Sequence, residues 1–213
     1  MPAPTQHLRA FTLIEMLVVM AVIALLAAIL LNLNGLVQSK AAKTRALSEI
    51  HALESGIGSY KADNGSVPQD AVTDALDPRM QGDPKDYKKA SLTLYMQLSG
   101  DLNANGRNEP NAATPEPKSY LTDFFTPQRM ATDPNKAVGT ANHVLFIKDP
   151  YGNSYGYSTK GADAEQKFRA DTSKPRAVAG YNSTFDLWCT AGKTTPPGAS
   201  PSGDVTNVWI KNW

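Results

Sequence analysis

The stretch FTLIEMLVVMAVIALLAAILL, residues 11–31, limits the folds open to this chain more than any other segment. From Met16 to Leu31 the apolar run is unbroken. With Phe11 to Ile14 it reaches roughly twenty residues, the length a helix needs to cross a bilayer core. It contains neither Pro nor Gly. The segment ahead of it, MPAPTQHLRA, carries His7 and Arg9 and no acid, so the positive-inside bias places Met1 in the cytoplasm and the rest of the chain on the far side. A cleaved secretory signal has a shorter apolar core, about 7–15 residues. A buried helix of a soluble protein rarely runs this long without a polar face. A plain signal anchor fits the length.

Glu15 fits that anchor poorly. A charged side chain in a transmembrane helix costs about 2.5–3.5 kcal/mol when central, and less near an end. Either Glu15 snorkels to the interface, or it meets a cation at its own depth. As synthesised, the first helical turn supplies no such cation. A cut between Ala10 and Phe11 would create one. The new amine on Phe11 would lie one turn from Glu15, or could meet Glu15 of a neighbouring subunit.

RAFTLIEMLVVMAVIALLAAI resembles the class III leader and N-terminal helix of type IV pilins and type II secretion pseudopilins. That family has a short basic leader, a small residue and then F-T-L-I-E. Phe11, Thr12, Leu13, Ile14 and Glu15 match one for one, and Ala10 stands where Gly is usual. The resemblance implies that a membrane prepilin peptidase cuts between Ala10 and Phe11 and methylates the new amine of Phe11. It also implies that Phe11 and Glu15 guide assembly. Residues 1–10 are then a leader, 11–35 the transmembrane and assembly half of a long helix, and 36–213 a periplasmic pilin-like domain that includes the helix's amphipathic half.

The helical pattern continues to about Tyr60. Leu47, Ile50, Leu53, Ile57 and Tyr60 form one apolar stripe, with Lys40, Lys43, Arg45 and Glu49 elsewhere on the stretch. NLNG, 32–35, has low helix propensity and is a weak point. In YKADNGSVP, Asn64 and Gly65 suit a left-handed cap and Pro68 cannot continue the helix. ASLTLYMQLSG, 90–100, predicts a short helix with Leu92, Tyr95, Met96 and Leu98 partly buried. KSYLTDFF, 118–125, predicts another short apolar element. Strands are expected at HVLFI, 143–147, SYGYS, 154–158, and TFDLWC, 184–189, the last with Phe185, Leu187 and Cys189 on one side and Asp186 and Trp188 on the other. A long helix packed on a small antiparallel sheet is an α+β fold. The sole cysteine, Cys189, reads as a small core residue. DPYGNSYGY, FDLW and the final NW resemble stretches of the major pseudopilin, whereas residues 70–142 match little of it.

DLNANGRNE, 101–109, has the form of half an EF-hand loop. Asp101, Asn103 and Asn105 occupy positions 1, 3 and 5, Arg107 offers a carbonyl at 7, and Glu109 falls at 9. Ala112 stands where the bidentate carboxylate belongs. An ordinary Asx-rich turn explains the same residues. The resemblance implies a second calcium place, the loop after F-D-L-W. There Lys193 replaces the usual Asp, and Asp204 is the one obvious acidic ligand.

Catalysis finds no motif: His7, His51 and His143 have no metal-ligand spacing, and no G-x-S-x-G, Walker A, H-E-x-x-H or C-x-x-C occurs. Lys and Arg total 21 against 20 Asp and Glu, and no basic stripe stands out, so nucleic acid is not an expected partner. The expected protein is not an enzyme. It is a single-pass inner-membrane pseudopilin, N-terminus cytoplasmic, that polymerises into a short periplasmic filament for type II secretion. Its implied partners are its own copies, minor pseudopilins, the inner-membrane assembly platform, the prepilin peptidase and the membrane. Calcium is the sole cofactor in view. A type IV pilus pilin, major or minor, shares the leader chemistry, and a signal-anchored extracytoplasmic enzyme or binding module is the rival of another class.

Overall fold

The computed structural model describes residues 12–109 and 118–213, with the side chains of 29–36 left aside. It divides into two compact units, 1–41 and 42–213. Helix α1, Leu13–Asn64, contributes to both. Residues 32–35 are helical, so the expected weak point does not interrupt the backbone ladder.

From Met16 to Ala28 the helix is apolar on every face. Leu13, Ile14, Leu17, Val18, Ile23 and Leu25 are all exposed. Among the described residues no helix is long and apolar enough to cross a membrane. The span expected over 11–35 extends at both ends beyond the described side chains.

In the second unit α1 is amphipathic. Ala46, Ile50, Leu53 and Ile57 are at most 1% exposed and form one wall of the main core. Leu47, expected in that stripe, is 45% exposed. Successive helical residues are rotated by about 100°, so Ala46, four before Ile50, takes the inward position instead. Glu49, expected on the polar side, is also buried. Tyr60 is half-buried, edge-on to Tyr120, and donates its O–H to Gln97 Oε1 at 3.0 Å. The helix closes as expected: Gly65 has φ +76° and its N–H donates to Lys61 O at 2.8 Å.

A short helix α2, Ala71–Ala75, follows, capped by Asp70 and Thr73. Helix α3, Pro84–Ser99, starts at Pro84 rather than at Ala90. The cause is local: Asp83 Oδ1 accepts Lys85 N–H at 3.0 Å, and Pro84 already has a helical φ. Tyr87, Ala90, Leu94, Tyr95 and Leu98 are buried, while Leu92 and Met96 are half-buried. Residues 118–125 form turns that bring Phe124 into the core.

Among the described residues, five short strands make two antiparallel sheets rather than one of three. β1, Met130–Thr132, pairs with β2, Val144–Ile147. β3, Gly156–Ser158, pairs with β4, Asp186–Cys189, which pairs with β5, Ile210–Lys211. A bridge between Lys148 and Ser154 links β2 to β3 through the DPYGN turn. Between β3 and β4 lies helix α4, Lys160–Ala170, and before β5 a single turn, α5, Gly203–Thr206.

β4 is buried on both faces. Leu187 and Cys189 join the main core, as the alternation predicts. Trp188 faces a second cluster with Leu76, Tyr87, Ala90 and Trp209, so the other side of the strand is covered as well. Asp186 is buried there too, accepting N–H bonds from Tyr181 and Asn182 at 2.8 Å each. Trp188 needs Gly156 opposite it: a Cβ on Gly156 would lie 2.0 Å from Trp188 Cε2. Gly156→Ala is therefore expected to destabilise the domain by about 3 kcal/mol through overpacking. Urea unfolding measures this, and an unchanged midpoint would contradict the packing.

Asp149, in the DPYGN turn, is 3% exposed. Its Oδ1 accepts N–H bonds from Tyr151 and Asn153, and its Oδ2 accepts the Cys189 S–H at 3.1 Å. Burial raises its pKa, and the thiol and backbone bonds offset only part of that. The folded state thus keeps this proton at a pH where the unfolded chain, with a pKa of about 3.9, has lost it. Stability from this group is lost as pH rises from about 4 through the raised value. Asp149→Asn should remove this component from the pH dependence of urea unfolding. An identical slope in wild type and variant would count against it.

Candidate assembly and ligand sites

Ala10 and Phe11, the expected cleavage and methylation positions, lie outside the described residues. Glu15, the third expected assembly residue, stands in the first turn of α1. Its Oε2 accepts the backbone N–H of Thr12 at 2.8 Å and the Thr12 hydroxyl at 2.8 Å. In return Thr12 Oγ1 accepts the Glu15 N–H at 3.3 Å. This is a capping box: two donors at the helix start, which have no partner within the helix, are satisfied reciprocally. A carboxylate there also lies at the positive end of the helix dipole.

T-x-x-E ahead of an apolar run is the sequence signature of this cap. It changes the chemistry of the site. Glu15 is not a lone acid among apolar neighbours, because its own first turn already solvates one of its oxygens. Leu13, Ile14 and Met16 beside it are exposed. The arrangement offers an oriented anionic acceptor at the tip of an apolar rod.

The 101–109 loop brings its predicted ligands together, but around backbone donors. Asp101 is 3% exposed. Its Oδ1 accepts Asn105 N–H at 3.0 Å, and its Oδ2 accepts Gly106 N–H at 2.8 Å and the Tyr95 hydroxyl at 2.7 Å. Asn103 Oδ1 accepts Asn105 N–H at 3.3 Å, and Asn105 Oδ1 accepts Arg107 N–H at 2.7 Å. Glu109 is exposed and pairs with the Arg107 guanidinium at 3.4 Å.

Asp204 is exposed in the first turn of α5. In the loop before it, Lys193 O accepts the indole N–H of Trp209 at 3.0 Å. Among the described residues, no group of three or more His, Cys, Asp or Glu side chains could hold a metal ion. Cys189 is buried as expected, and burial together with the neighbouring Asp149 pushes its thiol pKa far up.

Residues 7–31 match the prokaryotic N-terminal methylation motif. The chain is similar to the type II secretion system core protein G of Pectobacterium carotovorum subsp. carotovorum: 36% identity over 83 residues, which are 37% of this chain and 53% of that protein. It is similar to the protein of the same name in Escherichia coli (strain K12), with 43% identity over 65 residues, 30% of this chain and 44% of that protein. For Dickeya chrysanthemi the figures are 44% over 61 residues, 28% and 39%. The chain thus spans about half or less of the length of these curated relatives. No solved structure matches it significantly. By its N-terminal motif, its long helix with small antiparallel sheets, and these partial matches, the chain resembles the type IV pilin-like family, with the major pseudopilin of type II secretion as the branch it matches.

Proposed function

We propose that this chain is a structural pseudopilin subunit of a type II secretion system. The leader is removed after Ala10 and the Phe11 amine is methylated. The processed helix then waits in the inner membrane with the 36–213 domain in the periplasm. Copies stack through their apolar helices into a short filament, with minor pseudopilins and an inner-membrane platform as partners. A type IV pilus pilin would share this chemistry. The relatives matched, all named for type II secretion, favour the secretion filament.

The observation that carries the proposal is the one carboxylate held at the tip of an exposed apolar helix, within a matched methylation motif. The helix start needs only a good acceptor at position 15, which Gln would also provide. Assembly against a neighbour's Phe11 amine needs the negative charge, because an amine enclosed in apolar surroundings without a counter-charge is costly.

The two roles separate by substitution. Glu15→Gln keeps an acceptor for Thr12 and removes the charge. It should insert into the membrane normally but lower filament yield by about tenfold or more, the scale of a 1.4 kcal/mol loss. Thr12→Ala removes the cap and keeps the charge. It should cost the helix start about 1 kcal/mol, with a smaller effect on filament yield. Shearing and immunoblotting of filaments from cells carrying the assembly machinery measures both. Normal filaments from Glu15→Gln would refute the pairing role and leave Glu15 as a cap alone.

A further inference from the structure

We infer that the folded domain of this chain is metal-independent, because an indole closes the C-terminal loop where the resemblance implies a calcium ion. Calcium gathers about 6–8 oxygen ligands, usually including several carboxylates. Between Cys189 and the end of the chain, Asp204 is the one carboxylate side chain, and it is exposed. Lys193 brings a positive charge to the position of the usual Asp. The residues present do not fit the ion.

Other contacts do the closing. The Trp209 indole N–H donates to the Lys193 carbonyl at 3.0 Å, and Lys193 N–H donates to Thr190 O at 2.8 Å. Farther along, Thr195 N–H donates to Gly82 O at 3.2 Å, and the Thr195 hydroxyl to Ala199 O at 3.1 Å. The Thr190 hydroxyl is buried without a partner among the described residues. One neutral oxygen is far from a calcium cage. Trp209 is itself held: it is 4% exposed and stacks on Trp188, ring centroids 6.2 Å apart and planes within 11°. Trp188 in turn meets Tyr87 edge-on at 4.9 Å and Trp213 at 5.9 Å. The N–H therefore reaches the carbonyl from a fixed aromatic cluster. A neutral, oriented donor from that cluster satisfies the Lys193 carbonyl.

The 101–109 loop follows the same principle independently. Its Asp and Asn side-chain oxygens are taken by backbone N–H groups and by the Tyr95 hydroxyl. Its carbonyls at Asn103, Ala104 and Asn105 accept N–H bonds from Asn142, Val144 and Gly139. These bonds leave lone pairs free on Asp101 Oδ1 and on the Asn oxygens, but Asp101 is the one buried carboxylate of the loop: Glu109 is exposed and paired with Arg107, and Ala112 stands at the bidentate position, so the donor set falls short of a calcium site. The loop instead fastens the 137–144 segment, which leads into β2.

The inference holds whether the chain builds a secretion filament or a pilus, and its test reads folding rather than assembly. The full chain in detergent is stripped with EDTA and unfolded by heat, with and without millimolar calcium chloride, and its bound metal is counted by mass spectrometry. The expected result is a Tm unchanged within about 1 °C and no stoichiometric calcium. A rise of several degrees, or one calcium per chain, would overturn the inference. Trp209→Phe keeps an aromatic six-membered ring and removes the N–H together with the pyrrole part of the stack on Trp188. It should lower Tm by about 3–6 °C, and calcium should not restore it. An unchanged Tm, or restoration by calcium, would overturn the indole closure. If that variant does not fold, the wild-type metal titration decides.

Discussion

Glu49 lies within the wall that α1 presents to the domain, 2% exposed, and its carboxylate is gripped from three directions. Oε1 accepts Arg45 Nε at 2.8 Å, one turn back on the same helix, and Arg129 Nε at 2.9 Å, just ahead of β1. Oε2 accepts the Tyr155 hydroxyl at 2.8 Å, just ahead of β3. Arg129 also lies over the Phe124 ring and donates to the Phe124 carbonyl at 3.1 Å. One buried carboxylate thus fixes the helix against the 118–129 turns and against both sheets. Apolar packing would hold these elements together without it, but would not set their register so narrowly. Removing one partner of such a group leaves the others buried and unpaired, which typically costs about 3–5 kcal/mol.

The sequence shows the elements whose signals are local. α1 ends where Asn64, Gly65 and Pro68 say it should, and β2, β3 and β4 stand where β-branched and aromatic runs predict them. β1 and β5 span three and two residues, too short to display an alternation. The true start of α3 is written in the Asp83-Pro84 pair, a cap signal outweighed by the apolar run that follows it. Glu49 escapes sequence reasoning because a charged residue on a helix ordinarily faces water. Its key partners, Arg129 and Tyr155, lie far along the chain.

The sites divide in the same way. The F-T-L-I-E motif singles out Glu15, but the cost of a charge at membrane depth says nothing of its capping partner Thr12. In the 101–109 loop, alternate Asp and Asn residues fit a calcium site and a self-bonded turn equally well. Tyr95, six residues upstream on α3, and the 137–144 segment decide where those oxygens point. Trp209 reaches Lys193 across sixteen residues of Pro-rich loop, and no spacing rule would pair them.

The two units solve opposite problems. Residues 42–213 gather apolar groups into two buried clusters and pair nearly all their buried polar side-chain atoms, with the Trp188, Trp213 and Thr190 side chains as the exceptions among the described residues. Among the described residues, the first unit leaves its apolar side chains uncovered and satisfies its one acid at the tip. On the proposed function, lipid covers that surface first and neighbouring subunits later, and processing at Ala10 supplies the cation that Glu15 lacks at synthesis. The most direct measurement is intact-mass and N-terminal peptide analysis of the chain co-expressed with a prepilin peptidase. The account predicts loss of residues 1–10 and a single methyl group on Phe11. An intact leader, or a cut away from Phe11, would contradict it.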